Sequence, residues 1–375
     1  MEVTRTMKRV GVITIPDYNN YGNRLQNYAV KQTFEKMGYR VDTLELNDPL
    51  FKKYRARKCK LLVRKYGLTS LIRAAKYLRG KKSEVKREKL FETFTKKYLN
   101  VRYEPSYSKK LIDQMNKEYD YFVIGSDQIW HPIVNETPTL FFGTFTSPEK
   151  RLFFAPSFGI SELSGEYAKV VAEGLKNAKY LSVREQAGAN IIQKLLHRDA
   201  KVLIDPTMML DGSEWKKLAK DPDGLPKNKY VLGCFLGKLS ENYLKYMEEL
   251  GTENSFSNYI LAQKGYPEGY ATGPSEFLAS IMKSEVVLTD SFHCVVFAIL
   301  FGKPFVVFPR IYDNGSNSGS KLDGRMQTLL NRFQLENRIY GSVEKDALFS
   351  CNYSNAKDIL EKERNVVYDF FGLGD

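Results

Sequence analysis

Residues 10–46 read VGVITIPDYNNYGNRLQNYAVKQTFEKMGYRVDTLEL, and this stretch decides the fold class. Val10 to Ile15 is a continuous apolar run of the kind that fills a buried parallel strand. Pro16 to Asn23 is a polar loop rich in Asn and Gly. Arg24 to Met37 has helix-like spacing, with Leu25, Tyr28, Ala29, Gln32 and Phe34 mixing apolar and polar faces. Gly38 is a natural helix stop. Tyr39 to Leu46 then alternates as a second strand. A strand, loop, helix and strand in this order open a Rossmann-like sheet.

The same rhythm continues downstream. Tyr119 to Ile124 reads as a buried strand ending in Gly125-Ser126-Asp127. Arg151 to Ala155, Ala178 to Val183 and Lys201 to Ile204 read as further strands. Asp211 to Lys229 is rich in Asp, Gly, Pro and Lys and reads as a linker. A second α/β run follows, with strands at Tyr230–Phe235, Tyr259–Ala262, Glu285–Thr289 and Phe305–Phe308. Helices are expected near Asn242–Leu250, at Ser275–Lys283 and from Val295. The expected fold is α/β, with two Rossmann-like domains facing a cleft. Residues 1–212 form the first domain with a basic helical insert at 50–100, 213–350 the second, and 351–375 a C-terminal helix or tail.

The 375 residues carry a formal charge of +13, which raises the question of a nucleic-acid partner. The charge is local. Residues 51–97 hold 18 of the 57 Lys and Arg but only 3 of the 44 Asp and Glu, leaving 39 basic and 41 acidic residues elsewhere. A near-neutral body with one basic arm is not the footprint of a nucleic-acid binder. Tyr54, Tyr66 and Tyr77 are too sparse to form a base-stacking platform. A peripheral contact with an anionic membrane face is one reading of residues 51–97, and a solvated helical arm or an oligomer contact is the other. No apolar window is long enough to span a membrane. The charged start, Met1 to Arg9, leads into a strand, so a cytoplasmic protein is expected. Cys59, Cys234, Cys294 and Cys351 form no CxxC pair, which argues against a zinc site and a disulfide framework.

Several strand ends carry chemistry. Leu288-Thr289-Asp290-Ser291-Phe292-His293 places a histidine at a helix start, where backbone N–H groups and the helix dipole favour an anion. A histidine there can give or take a proton. Gly125, Ser126, Asp127, Gln128 and Trp130 follow a buried strand and offer close backbone approach, hydrogen bonds and a flat face. Asn20, Gly22 and Asn23 sit between a strand and a helix without GxGxxG or a Walker lysine, so dinucleotide and P-loop readings fail. Arg184 ends another strand and suits a carboxylate or phosphate, with a solvated Arg184–Glu185 pair as the structural alternative. Lys321 and Arg325 follow a loop of Asn, Gly and Ser and are candidate anion contacts. His131 and His197 read as a packed loop histidine and a surface residue at a helix end. No metal motif is present.

In order, the motifs NNYGNRLQNYA, YDYFVIGSDQIW, FFAPSFG, YLSVREQAG, LIDPTMML and VLTDSFHCVVFAILFGKPF resemble the polysaccharide pyruvyl transferase family over roughly Gly11 to Phe308. That resemblance implies a glycosyltransferase-B-like architecture, phosphoenolpyruvate as co-substrate, no further cofactor, and a sugar acceptor that receives pyruvate as a cyclic ketal. It implies His293 as acid/base, with Asp290 assigned beside it, and Arg184 as donor contact. Ser126, Asp127, Gln128, Asn20, Gly22 and Asn23 would then line the pocket. Some members carry an arginine two positions before the histidine. Here that position is Ser291, so the donor role is expected to pass to Arg325 or Lys321. A nucleotide-sugar glycosyltransferase of the same plan is the competing enzyme class, and a glycan-binding or nucleic-acid-binding module using the basic arm the non-enzymatic one.

Overall fold

The computed structural model describes residues 7–46, 71–104, 108–132, 138–312 and 322–372, with the side chains of 46, 71–81 and 138 excepted. Lys321, the loop 314–320 and residues 51–70 of the basic stretch lie outside these. The expected membrane contact through 51–97 therefore falls largely outside the described residues.

The first sheet contains β1 (Arg9–Ile13), β2 (Arg40–Leu46), β3 (Val101–Glu104), β4 (Tyr121–Gly125) and β5 (Arg151–Phe154). Their order is β3-β2-β1-β4-β5, and every pair is parallel. Val10, Val12, Phe122, Val123, Ile124, Leu152 and Phe153 are fully buried, as strands covered on both faces require. The short parallel pair β6 (Ser182–Val183) and β7 (Lys201–Val202) continues this edge through a bridge from Leu152 to Tyr180. The second sheet holds β8 (Tyr230–Cys234), β9 (Ser257–Leu261), β10 (Val286–Thr289) and β11 (Phe305–Val307). Its order is β11-β10-β8-β9, again parallel throughout.

The longer helices are α1 (Tyr21–Lys36), α2 (Leu71–Tyr98), α3 (Lys109–Glu118), α4 (Gly165–Leu175) and α5 (Gln186–Leu196) in the first half. In the second half they are α6 (Glu241–Asn254), α7 (Pro274–Lys283), α8 (Phe292–Phe301), α9 (Gly324–Phe333) and α10 (Ala356–Phe370). α1 begins three residues before the periodicity predicts, because Asn20 Oδ1 accepts from the Asn23 amide and caps it.

The presumed linker is a weld. After Asp211 the chain makes a capped turn, and Trp215 is fully buried, with its indole N–H donating to Thr207 O at 3.0 Å. Its ring packs on Phe297 and on Tyr28, one from each half. One apolar cluster accordingly runs through both sheets, from Val10 and Phe154 to Leu232, Phe277 and Val287. α10 returns to the first half, where Phe371 packs on Phe34 and Phe154 and Arg364 donates to Met208 O and Leu210 O.

The second part of the basic insert is built into this joint. Phe91 and Phe94 of α2 are buried core. Arg87 is also buried and donates to Asn19 O (2.7 Å), Tyr270 O (3.2 Å), Thr272 O (3.1 Å) and the Tyr21 hydroxyl. Its guanidinium lies over the Tyr21 ring at 4.3 Å. Asn19 and Tyr21 belong to the first half, and Tyr270 and Thr272 to the second. The Tyr21 and Thr272 hydroxyls also meet, at 2.6 Å.

Candidate active site

The site begins at the turn between β10 and α8. Thr289 Oγ1 donates to Cys234 O and accepts from the Ser291 amide. The Asp290 carboxylate accepts from the Leu236 amide (2.7 Å), the Gly237 amide (2.8 Å) and Arg310 Nε (3.2 Å). These contacts lock the turn and aim His293, in the first turn of α8, at the first half.

The imidazole meets the start of α1. A Cβ on Gly22 would stand 2.0 Å from His293 Nδ1 and 2.2 Å from its Cγ, so only hydrogen fits there. His293 Nε2 is buried without a hydrogen-bond partner and lies 3.7 Å from Asp205 Oδ2. Asp205 is itself held tightly. Oδ2 accepts from Arg184 Nη1 at 2.7 Å, and Oδ1 accepts from the Thr207 hydroxyl (2.6 Å) and amide (3.0 Å). Burial alone would raise the pKa of Asp205. His293, Arg184 and Thr207 outweigh burial and hold the carboxyl well below the usual carboxylate range.

Arg184 packs its guanidinium over the Phe292 ring at 4.6 Å, and its Nη2 is 3.7 Å from Asp127 Oδ1. Arg184 Nε and Nη2 have no hydrogen-bond partner although both are buried. Asp127 Oδ2 accepts from Asn23 Nδ2 at 3.3 Å. A buried chain of alternating groups results: His293, Asp205, Arg184, Asp127 and Asn23. Glu185 lies beside it. Its Oε1 accepts from the Ser157 hydroxyl and the Phe158 and Gly159 amides, while Oε2 has no partner. Burial pushes its carboxyl pKa up, against the pull of Arg184 and Arg325. Arg325, at the start of α9, pairs with Asp323 and is close enough to Glu185 and Asp127 to interact with both charges.

The structure thus brings together His293, Arg184, Asp127, Gly22 and Asn23, with Arg325 at the flank. Other expected residues have different duties. Asp290 is not the acid beside the histidine; its oxygens are taken by the 236–237 amides and Arg310, and Asp205 occupies that place. Trp130 presents no face to a ligand. It is fully buried against Phe142, Phe153 and Phe158, with its indole N–H on Phe141 O. Ser126 is fully buried, with its hydroxyl donating to Ala155 O at 2.5 Å and its amide to Gln26 Oε1. Gly125 serves sheet packing: its φ is +126° and a Cβ would stand 2.5 Å from Phe154 O. Asn20 is the helix cap, and Ser291 is an N-cap position whose side chain makes no capping bond. Gln128 is half-buried against Gly159. Arg184 forms its ion pair with Asp205 rather than with Glu185. His131 is half-buried, and burial and then Arg325 lower its pKa. His197 is exposed and caps α5 at its C-terminus.

Sequence reasoning passed over Asp205 and Glu185 as functional groups. The available signal was the strand end itself, since each follows directly on a short buried segment. No group of three or more His, Cys, Asp or Glu among the described residues is placed to hold a metal ion. Nor is any helix among them long and apolar enough to cross a membrane.

Two parallel sheets and two helix starts converging on a buried histidine define the class: an α/β protein of two Rossmann-like domains with the glycosyltransferase-B fold. A UDP-GlcNAc 2-epimerase from Neisseria meningitidis, solved with UDP-GlcNAc, matches with a TM-score of 0.50 at 11% identity, covering 98% of this chain and 100% of that one. A glycosyltransferase from Rickettsia africae matches with a TM-score of 0.41 at 10% identity, covering 98% and 94%. An α-glucosyltransferase solved with UDP and a 13-mer DNA matches with a TM-score of 0.45 at 10% identity, covering 97% and 95%. No curated protein matches by sequence. The family model for polysaccharide pyruvyl transferase matches residues 20–311. The chain belongs to the polysaccharide pyruvyl transferase family.

Proposed function

We propose that the protein transfers pyruvate from phosphoenolpyruvate to a sugar of a surface polysaccharide or lipid-linked glycan, forming a cyclic ketal. The observation that carries this reading is the His293–Asp205–Arg184 cluster, in which His293 Nε2 and Arg184 Nε and Nη2 are buried without hydrogen-bond partners, the carboxylates facing His293 Nε2 and Arg184 Nη2 standing 3.7 Å away. Buried donors left open in this way are costly unless a ligand satisfies them. A small dianion such as a phosphate ester suits the arginine nitrogens. The starts of α1 and α8 meet at Gly22 and His293, adding two favourable dipole ends.

His293 delivers a proton to the methylene carbon of phosphoenolpyruvate, making C2 electrophilic. One sugar hydroxyl adds to C2. A second hydroxyl then attacks the same carbon as the C2–O bond to phosphate breaks. Of the two hydroxyl protons released, one replaces the proton given to carbon and the other leaves with phosphate. Asp205 stays ionised throughout and holds both the histidine and Arg184. Arg184 and Arg325 supply positive charge for the phosphate and carboxylate of the donor. Asp127 and Asn23 orient the acceptor hydroxyls.

The test is turnover with phosphoenolpyruvate and a panel of synthetic and lipid-linked glycans. Phosphate release with a matching gain of pyruvate ketal in the glycan mass supports the reading. His293→Ala is expected to lower kcat by about 10²–10⁴-fold. Wild-type turnover in that variant would remove the acid/base assignment.

A further inference from the structure

Among the described residues, exposed large apolar side chains include Leu236, Tyr266 and Tyr312. Leu236 is 52% exposed, Tyr312 47% and Tyr266 36%, so each presents a substantial share of an apolar side chain to solvent. Their placement is not scattered. Leu236 follows β8, Tyr266 follows β9 and Tyr312 follows β11. All three therefore leave the C-terminal edge of the second sheet, the edge at which open α/β sheets bind ligands.

The three loops are laced together. Gln263 Nε2 donates to Phe235 O (2.5 Å) and Gly237 O (3.1 Å), tying the loop after β9 to the loop after β8. The Lys238 amide donates to Ile311 O at 2.8 Å, tying the loop after β8 to the one after β11. At Gly237 a Cβ would lie 2.5 Å from Ile311 O, so these two backbones touch. The rim is also joined to the catalytic turn, because the Leu236 and Gly237 amides are the donors to Asp290. Asp290 stands three residues before His293.

We infer that this rim is the track on which the acceptor glycan lies, with Tyr312 and Tyr266 packing against the C–H faces of sugar units next to the one that is modified. A polymeric acceptor extends beyond a buried reaction centre and needs a surface continuous with it. Sugar rings offer apolar faces edged by hydroxyls. An exposed tyrosine offers a flat face with a polar tip, and this rim sets tyrosines and a leucine beside Lys238 and Gln263. The inference rests on the chain acting on glycans and is independent of the identity of its donor.

Saturation-transfer NMR with tetrasaccharides of galactose, glucose and mannose tests it without any donor present. At least one probe is expected to bind the wild-type protein through its ring C–H protons. Tyr312→Ala and Tyr266→Ala are each expected to weaken that binding about 5–10-fold, and Tyr312→Phe to preserve it. Thermal unfolding midpoints should not change, because both side chains are on the surface. Two results would overturn the inference: no probe binding to wild type, or equal binding by the alanine variants. If glycan binding depends on the tyrosines while phosphoenolpyruvate is not consumed, the track stands and the donor assignment fails.

Discussion

Gly22 and His293 lie 271 positions apart in the chain, yet no side chain fits between them. Gly22→Ala is expected to push the imidazole out of place, destabilising the fold by about 1–3 kcal/mol and reducing turnover more than a general loss of stability would. Thermal unfolding and kcat measured on the same preparation check this; an unchanged kcat would show the ring has another seat. Asp205 yields a pH prediction. Its pKa in the folded state lies below its unfolded value, so its contribution to stability is complete above about pH 5 and is lost as pH falls below about 4. Asp205→Asn leaves buried Arg184 with only the more distant Asp127 as counter-charge, an expected loss of about 3 kcal/mol at pH 7. Denaturant unfolding at several pH values should show wild type and variant converging in acid, and parallel curves would contradict the assignment. His293 was legible from sequence because a strand end, a polar turn and a helix start are local features. Its partner was not. Asp290 is near in sequence but turned to the 236–237 amides, whereas Asp205 reaches His293 only through the packing of the two halves.

Helix α2 shows why composition misleads at the scale of an element. Its lysines and arginines mask Arg87, Phe91 and Phe94, which face inward and join the halves. Arg87→Ala removes four hydrogen bonds and leaves the carbonyls of Asn19, Tyr270 and Thr272 without this donor. The expected cost is about 3 kcal/mol or more. Arg87→Lys should recover only part of it, since an ammonium cannot match the planar fork. Denaturant titration measures both, and a neutral Arg87→Ala would mean the helix does not tie the halves together. The buried strands of both sheets were legible as apolar runs. β3 and α3 were not, because VRYE at the sheet edge is polar and α3 buries only Leu111 and Met115.

For the whole molecule, a first sheet in the order β3-β2-β1-β4-β5 and a second parallel sheet follow from repeated strand and helix alternation, which sequence reveals well. The union of the halves was harder to read. The stretch after Asp211 has a linker's composition, but Trp215 sits in the shared core, and α10 crosses back to pack Phe371 on Phe34 and Phe154. This joint sets the histidine of the second half against the arginine and aspartate of the first, so the chemistry depends on both halves together. The most direct measurement is ¹³C NMR of the product formed from phosphoenolpyruvate labelled at C2. The account predicts that the label appears as a ketal carbon bonded to two sugar oxygens, with one phosphate released per transfer, and that His293→Ala slows its appearance by about 10²–10⁴-fold. Absence of label from every glycan, with turnover of a nucleotide sugar in its place, would contradict it.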